Sequence, residues 1–214
     1  MALVICVMGD SGAGKTTSMR NLNPKTTFYI DADKKGLSWK GWRKSYQKDI
    51  NYARLDDPKK VSKALKYIEE KEEYKHFQTI VIDTLNGIMV ADEMRRMKEK
   101  NYDKWADLAQ SVYDIIDYTL TMKDDLCVIF VAHTQTDREE SGYLHTRIKT
   151  SGKKLDKICL ESKFTTVLLA KSIDEKYIFE TQANKSTTKT PMGSFAQKEI
   201  HNDITQVIEV LKNF

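Results

Sequence analysis

The strongest constraint in this sequence is a short apolar run that leads directly into a glycine-rich loop. Residues 2–8 are all apolar and are followed by Gly9-Asp10-Ser11-Gly12-Ala13-Gly14-Lys15-Thr16. The loop matches the pattern G-x-x-x-x-G-K-[ST], in which backbone amides surround a phosphate group. A continuous apolar run of this length is typical of a strand buried on both faces. The chain is therefore predicted to begin with a buried strand, a phosphate-binding loop (P-loop) and a helix.

The residues of the loop have predicted roles in binding ATP. The helix predicted over 15–22 would add the positive end of its dipole to the loop amides. Lys15 is expected to reach the β- and γ-phosphates, and the Thr16 hydroxyl to contact Mg²⁺. The predicted nucleotide contacts are Gly9, Asp10, Ser11, Gly12, Ala13, Gly14, Lys15, Thr16 and Thr17. ATP and Mg²⁺ are the cofactors that this pattern implies.

Strand and helix patterns alternate through the first two-thirds of the chain. Strands are predicted at 27–30, 79–82, 126–132, 164–170 and 176–181. Helices are predicted after Asp57-Pro58, over the periodic apolar residues of 105–119 and after Asp203. This order is typical of an α/β fold with a mostly parallel central sheet flanked by helices. Neither a linker nor a repeat interrupts it, so residues 1–214 are predicted to form a single domain.

Composition excludes several classes of protein. Ten Tyr, seven Phe and three Trp are too many for a disordered chain. The apolar runs are far shorter than the roughly 20 residues of a membrane span, and no secretory signal precedes the loop. Cys6 and Cys127 lie inside apolar runs and are expected to be reduced and buried. We therefore expect a cytoplasmic protein without a membrane partner.

An acidic residue follows the strand predicted at 79–82. Asp83 at the end of this hydrophobic run is suited to hold Mg²⁺, mostly through water, beside a phosphate loop. Thr16 and Asp83 are therefore the predicted metal contacts. Asp83 is followed by Thr84 rather than by glutamate, so a carboxylate that activates water must come from elsewhere.

Two further acids, Asp31 and Asp33, follow the strand predicted at 27–30. Strand alternation would direct both carboxylates to one side of the sheet. The stretch Phe28-Tyr29-Ile30-Asp31-Ala32-Asp33 resembles the Phe-Ile-Asp-Ala-Glu stretch of RecA-like recombinases, whose Glu activates the attacking water. Asp33 stands at the position of that Glu and is one methylene shorter. The alternative is that both acids belong to a turn.

The strand predicted at 126–132 ends at a polar residue, His133. RecA-like ATPases end the matching strand with a side chain, commonly Gln, that senses the γ-phosphate. The resemblance therefore assigns this role to His133, although a surface histidine at a strand end is the alternative. The predicted catalytic residues are Lys15, Asp33, Asp83 and His133.

Most of the chain also resembles the phage-encoded RecA-like ATPases of the single-strand-annealing and recombination group. The stretches that carry the resemblance are 9–17, 33–46, 80–83, 101–104, 124–133 and 190–195. It implies a RecA-like core and a Mg²⁺-dependent, DNA-stimulated ATPase in the host cytoplasm. It also implies single-stranded DNA and a single-strand-binding protein as partners. The sequence begins at the P-loop strand, so we expect no filament built through the N-terminal segment that RecA uses; a homo-oligomer of another kind stays open.

Two basic stretches are candidates for binding DNA. Residues 34–48 contain six basic side chains and no acidic one, with Lys40, Arg43 and Lys44 near their centre. Trp39, Trp42 and Tyr46 are interleaved with them, as in proteins that stack bases on aromatic side chains. These aromatics also lie at i, i+3 and i+7, so they form one face of a helix that would pack on the core.

The second candidate is the loop predicted after His133, at 143–154. It contains Arg147, Lys149, Lys153 and Lys154 without an acidic residue. RecA-like proteins bind DNA through the loop at this place, whereas a mobile solvated loop is the alternative. The rest of the chain has an excess of acidic side chains, so the small net charge of +4 conceals two local basic segments.

Three questions stay open at this stage. RecA-like oligomers insert a lysine or arginine of one subunit into the ATP site of its neighbour, so the resemblance makes Lys185 and Lys189 candidates for this cation, whereas a solvated turn is the alternative. A P-loop kinase of nucleosides or nucleotides would share the loop and the size, but its arginine-rich lid is not evident among seven arginines. The third class is a nucleotide-gated interaction module that does not hydrolyse ATP.

Overall fold

The computed structural model describes residues 2–100, 103–138, 142–151 and 159–214. Its strands are β1 (Leu3–Gly9), β2 (Thr27–Asp31), β3 (Tyr52–Ala53), β4 (Thr79–Asp83), β5 (Cys127–Arg138), β6 (Leu144–Ile148), β7 (Thr166–Ile173), β8 (Lys176–Glu180) and β9 (Glu199–His201). Its α-helices are α1 (Trp42–Ser45), α2 (Pro58–Glu70), α3 (Leu85–Arg95), α4 (Lys104–Thr121) and α5 (Ile204–Lys212). Short 3₁₀ turns lie at Thr17–Met19, Glu72–Tyr74 and Leu160–Lys163.

The strands form a mostly parallel central sheet in the order β3-β2-β4-β5-β1-β7-β8-β9. The pairs from β3 to β7 are parallel, β8 and β9 continue the sheet in antiparallel fashion, and β6 pairs with the extended end of β5. β1 lies between β5 and β7, which both follow it by more than 100 residues. The P-loop therefore leaves the carboxyl end of a central strand, where parallel sheets bind ligands.

Alternation along the strands gives the sheet two buried faces. Val4, Cys6 and Met8 of β1 belong to a core with the apolar stripes of α2, α3 and α4. Ile5 and Val7 of β1 belong to a second core with α5 and the segment after the P-loop. The prediction of an α/β fold with helices on the sheet is confirmed, as is the burial of Cys6 and Cys127.

Two predicted helix starts are confirmed by their capping contacts. Asp57 caps α2 by accepting the backbone N–H of Lys59 at 2.9 Å, and Pro58 takes the first helical position. Asp203 caps α5 by accepting the N–H of Thr205 at 3.0 Å. In the described ranges, no helix is long and apolar enough to cross a membrane.

The helix predicted over 15–22 is wrong, because the structure forms only a short 3₁₀ turn there. The Ser18 hydroxyl bonds back to the carbonyl of Lys15 at 2.6 Å. The Arg20 guanidinium donates to the carbonyl of Thr17 at 3.1 Å. In an α-helix this carbonyl would accept a backbone N–H. Side chains that compete in this way for backbone groups weaken a short helix, and Pro24 limits its extension.

Candidate nucleotide-binding site

Lys15 lies folded into the P-loop and is buried. Its Nζ donates to the carbonyls of Gly9 at 2.8 Å and Asp10 at 2.7 Å. Burial lowers the pKa of Lys15 to about 8, although the charge of Asp83 opposes this shift. The ammonium group is therefore largely protonated at neutral pH and lies where loop amides and a lysine can hold a phosphate together.

Asp83 is the buried acid at the end of β4. Its Oδ2 accepts the hydroxyl of Thr16 at 2.7 Å and that of Tyr29 at 2.6 Å. The parallel pairing of β2 with β4 places Tyr29 opposite Val81, close to this strand end. Burial raises the pKa of Asp83, and the two hydroxyl contacts oppose the rise. The predicted metal contacts Thr16 and Asp83 are thus in direct contact.

These two residues fit a magnesium ion. Asp83 Oδ1 is buried and has no hydrogen-bond partner in the described part of the chain, so it retains a free ligand position. The described residues contain no cluster of three or more His, Cys, Asp or Glu that could hold a metal by itself. Mg²⁺ commonly uses one or two protein oxygens together with substrate phosphates and water. A hydroxyl and a carboxylate beside a phosphate loop are therefore a suitable donor set.

Asp33 lies beside Asp83, in the loop that follows β2. Its Oδ1 accepts the hydroxyl of Thr84 at 2.9 Å, and its Oδ2 contacts the Nζ of Lys35 at 2.6 Å. Thr84 also caps α3 by accepting the N–H of Gly87 at 3.0 Å. A Cβ on Gly87 would lie 2.5 Å from Asp33 Oδ1, so only glycine leaves room for this carboxylate. Asp33, the residue predicted to activate water, is therefore fixed against the start of α3.

Asp31 has a structural environment that differs from that of Asp33. It is buried, and its Oδ2 accepts the Tyr52 hydroxyl at 2.5 Å and the N–H of Gly36 at 2.8 Å. These contacts hold the loop between Asp31 and Gly36 against β3. These contacts favour the alternative interpretation of Asp31, in which its carboxylate stabilises a turn.

His133 connects the nucleotide site to the strands beyond it. Its Nδ1 lies 3.4 Å from Lys15 Nζ, and its pKa is lowered by burial and by the charge of Lys15. Its backbone N–H donates to Asn86 Oδ1 at 2.7 Å, and its carbonyl accepts the N–H of Lys149 at 2.8 Å. Asn86 Nδ2 donates to the Lys149 carbonyl at 2.6 Å. Asn86 thus joins α3, β5 and the end of the β5–β6 hairpin.

A cavity of about 510 Å³ adjoins the end of the P-loop at Thr17. Arg20, Tyr177 and Asn202 also line it. The Tyr177 ring lies against the loop, since a Cβ on Gly14 would come within 2.7 Å of its Cδ1. The side chain of Asn202 is fully buried, and neither its amide nitrogen nor its oxygen has a partner in the described part of the chain.

The aromatic residues of the first basic stretch pack on the core. Tyr46 is buried and Trp39 and Trp42 are half-buried, in ring contact with Tyr29, Tyr52 or each other. The structure thus supports the core alternative for these rings, although α1 contains only four residues. The basic side chains of this segment, Lys40, Arg43 and Lys44, are exposed.

The second basic stretch is not simply a loop. Leu144–Ile148 forms β6, paired with the extended end of β5, and Arg147 forms an ion pair with Asp137 at 2.6 Å. The alternation of polar and β-branched residues favours this hairpin. Lys149 is exposed at the end of β6. The predicted DNA contacts Lys153 and Lys154 lie outside the described residues, as do Asn101 and Tyr102.

The two candidate trans-acting lysines lie against different strands, Lys185 beside β6 and Lys189 beside β7. Lys185 is exposed, and its carbonyl accepts the N–H of Thr146 at 2.8 Å. Lys189 is half-buried and exchanges two backbone hydrogen bonds with Val167. Their action on a neighbouring subunit stays a prediction.

Sequence reasoning missed four residues of the site: Tyr29, Thr84, Lys35 and Asn86. Thr84 has a local signal, because a Thr before a helical segment is typical of a helix cap. Lys35 lies in a basic stretch, whose pattern indicates a surface for DNA and not a contact with Asp33. Neither Tyr29 nor Asn86 has a local signal, because each acquires its partner through the pairing of distant strands.

The central parallel sheet and the P-loop with its acidic partner define a nucleotide-binding protein of the P-loop class. A family model described as AAA domain matches residues 1–208. The chain therefore belongs to the AAA-domain family, which consists of nucleotide-binding P-loop ATPases. A search of curated proteins found no match. The match confirms the expected AAA-type P-loop ATPase, while the narrower resemblance to phage recombination proteins stays a prediction.

Proposed function

We propose that this protein is a Mg²⁺-dependent ATPase whose hydrolysis is stimulated by single-stranded DNA. The observation that carries the proposal is the convergence of Lys15, Thr16, Asp83 and Asp33 around one P-loop. Lys15 and the loop amides would hold the β- and γ-phosphates, while Thr16 and Asp83 would hold the magnesium ion, which supplies charge neutralisation at the phosphates. Asp33 would orient the attacking water and accept its proton.

The nucleoside of ATP would lie in the cavity beside Thr17. This cavity adjoins the loop residue that follows the metal-binding threonine, and Tyr177 offers an aromatic surface against Gly14. Asn202 also lines the cavity, but its amide is fully buried and is not exposed to a ligand there.

Coupling to DNA would run through His133 and Asn86. His133 lies beside Lys15, and its carbonyl accepts the backbone N–H of Lys149, while the Asn86 side chain donates to the Lys149 carbonyl. A change in phosphate contacts at Lys15 could therefore reach the basic hairpin through one residue. Exposed Lys40, Arg43 and Lys44 offer a second basic surface on the segment that follows Asp33 and includes α1. Both segments support a polyanionic partner.

The test is the rate of ATP hydrolysis with Mg²⁺, in the presence and absence of single-stranded DNA. We expect DNA to increase kcat, and the D83N and D33N variants to abolish turnover. A K59Q variant is the control for a substitution away from the site. Lys59 is exposed on α2, and α2 packs on the sheet face opposite to the segment after the P-loop.

Other outcomes would assign the protein to another class. Transfer of phosphate to a nucleoside or nucleotide, with little hydrolysis, would indicate a kinase. ATP binding without turnover, with or without DNA, would indicate a nucleotide-gated module. The contacts of both Asp33 oxygens with Thr84 and Lys35 favour this last alternative over the kinase.

A further inference from the structure

Lys35 is a second lysine at the nucleotide-binding site. Its Nζ lies 2.6 Å from Asp33 Oδ2, while Asp33 Oδ1 accepts the Thr84 hydroxyl at 2.9 Å. Thr84 directly follows Asp83. Two contacts thus connect the Lys35 ammonium to the strand end that carries the metal-binding acid.

The backbone of the loop separates Lys35 from its neighbour Lys34. The loop is fixed at one end by the bond from Gly36 N–H to buried Asp31. Lys34 has a left-handed backbone, with φ of 58°, and its Nζ pairs with Asp56 at 2.6 Å. The two adjacent lysines therefore have different partners, and only Lys35 contacts Asp33.

The charge of Lys35 acts on the whole site. It adds to the effects of burial that lower the pKa values of Lys15 and His133, and it opposes the rise of the pKa of Asp83. Burial disfavours its own charge, but the contact with Asp33 raises the pKa of Lys35 overall. The side chain is about half exposed, at 51%, so it can change partners without unpacking the core.

We propose that Lys35 binds the γ-phosphate of a bound nucleoside triphosphate and thereby distinguishes ATP from ADP. This inference rests on the proposed nucleotide-binding function. A terminal phosphate carries about two negative charges, whereas Asp33 carries one, so the phosphate competes for the ammonium group. The transfer also releases Asp33 Oδ2, which can then accept a hydrogen bond from water. Lys15 contacts two phosphates, but Lys35 selects the terminal one.

The test is the pair of dissociation constants for ATP and ADP, measured by isothermal titration calorimetry on the whole chain. We expect K35M to weaken ATP binding by about tenfold, typical of a lost charge-assisted contact, and to leave ADP binding within about twofold of the wild type. K34M is the matched control, because it removes the same charge from the neighbouring position. It should preserve both constants.

The ratio of the two constants separates the possible outcomes. Equal weakening of ATP and ADP in K35M, or no weakening of either, would overturn the role of Lys35. A K35Q variant repeats the test if K35M lowers the melting temperature. If the wild-type protein binds neither nucleotide, the proposed function itself is wrong and this inference falls with it.

Discussion

The pKa of Lys15 determines the pH range in which the P-loop can bind a nucleotide. Burial lowers this pKa to about 8 in the free protein. Bound phosphates stabilise the ammonium group and raise the pKa, so affinity is full below about pH 8 and decreases as the pH increases above it. Calorimetric titration with ATP from about pH 6.5 to about pH 9.5 measures this decrease. A K15M variant should bind weakly at every pH, and a flat wild-type profile would contradict the assigned pKa.

The hydroxyl of Tyr29 stabilises the fold through its bond to Asp83. Both residues are buried, and the bond length is 2.6 Å. Hydrogen bonds to charged groups contribute about 1.5–3 kcal/mol, so Y29F should lower the free energy of unfolding by about 2 kcal/mol. Urea denaturation measures the change. Y46F is the control, since Tyr46 packs against Tyr29 but its hydroxyl bonds to no carboxylate in the described part of the chain; an equal loss in both variants would argue against the bond.

The residues of the P-loop could be predicted because the motif is local. Residues 9–16 carry their own pattern, and Asp83 follows a run that a buried strand requires. Asn86 could not be predicted, because its role depends on contacts with His133 and Lys149 that only the folded chain creates. Lys35 lies two residues from Asp33, but the local pattern does not indicate which of the adjacent lysines contacts this carboxylate. A residue without a local pattern is found only once the strand order is known.

At the scale of elements, the apolar and β-branched runs predicted the main strands of the central sheet well. The helix over 15–22 failed for a local reason, since Ser18 and Arg20 satisfy backbone carbonyls with their side chains. The segment that forms β6 was expected to be a loop, because its charged residues make the strand pattern weak. Pairing with β5 stabilises it as a strand. Local side-chain contacts thus decided the first of these elements, and pairing with a neighbouring strand decided the second.

The close approach of α3 to the loop after β2 depends on Gly87. An added Cβ would lie 2.5 Å from Asp33 Oδ1 and 2.9 Å from the backbone carbon of Ala32. Alanine gains about 1 kcal/mol of helix propensity over glycine, but overpacking against backbone costs about 1–3 kcal/mol. We therefore expect G87A to lower the melting temperature and to reduce ATP turnover by displacing Asp33.

A substitution at an exposed position of the same helix is the control for G87A. Val90 is exposed on α3, so V90A should leave both quantities near their wild-type values. A G87A protein with unchanged stability and turnover would show that the loop can move away, and that the position of Asp33 does not depend on this glycine.

At the scale of the whole molecule, the two basic segments predict salt-dependent binding of single-stranded DNA. Each phosphate contact contributes about 0.7 to the slope of log affinity against log salt concentration. Replacing Lys40, Arg43 and Lys44 by Gln should therefore reduce the slope by about two. Fluorescence anisotropy of a labelled oligonucleotide measures the slope at several salt concentrations.

The control for this experiment lies on the other face of the sheet. Lys59, Lys63 and Lys66 are exposed on α2, which packs on the core opposite that of Trp39 and Trp42. Replacing these three lysines by Gln removes the same charge and should preserve the slope. Equal effects of both triple variants would indicate that DNA responds to net charge and not to a particular surface.

The central claim is that the P-loop of this AAA-domain protein binds ATP through Lys15. Its most direct test is the calorimetric titration of the wild type, K15A and the exposed-site control K25A with ATP and Mg²⁺. The account predicts one ATP per chain for the wild type and K25A, and at least about tenfold weaker binding for K15A, since a charge-assisted phosphate contact is lost. Equal affinity of K15A and the wild type would contradict the account.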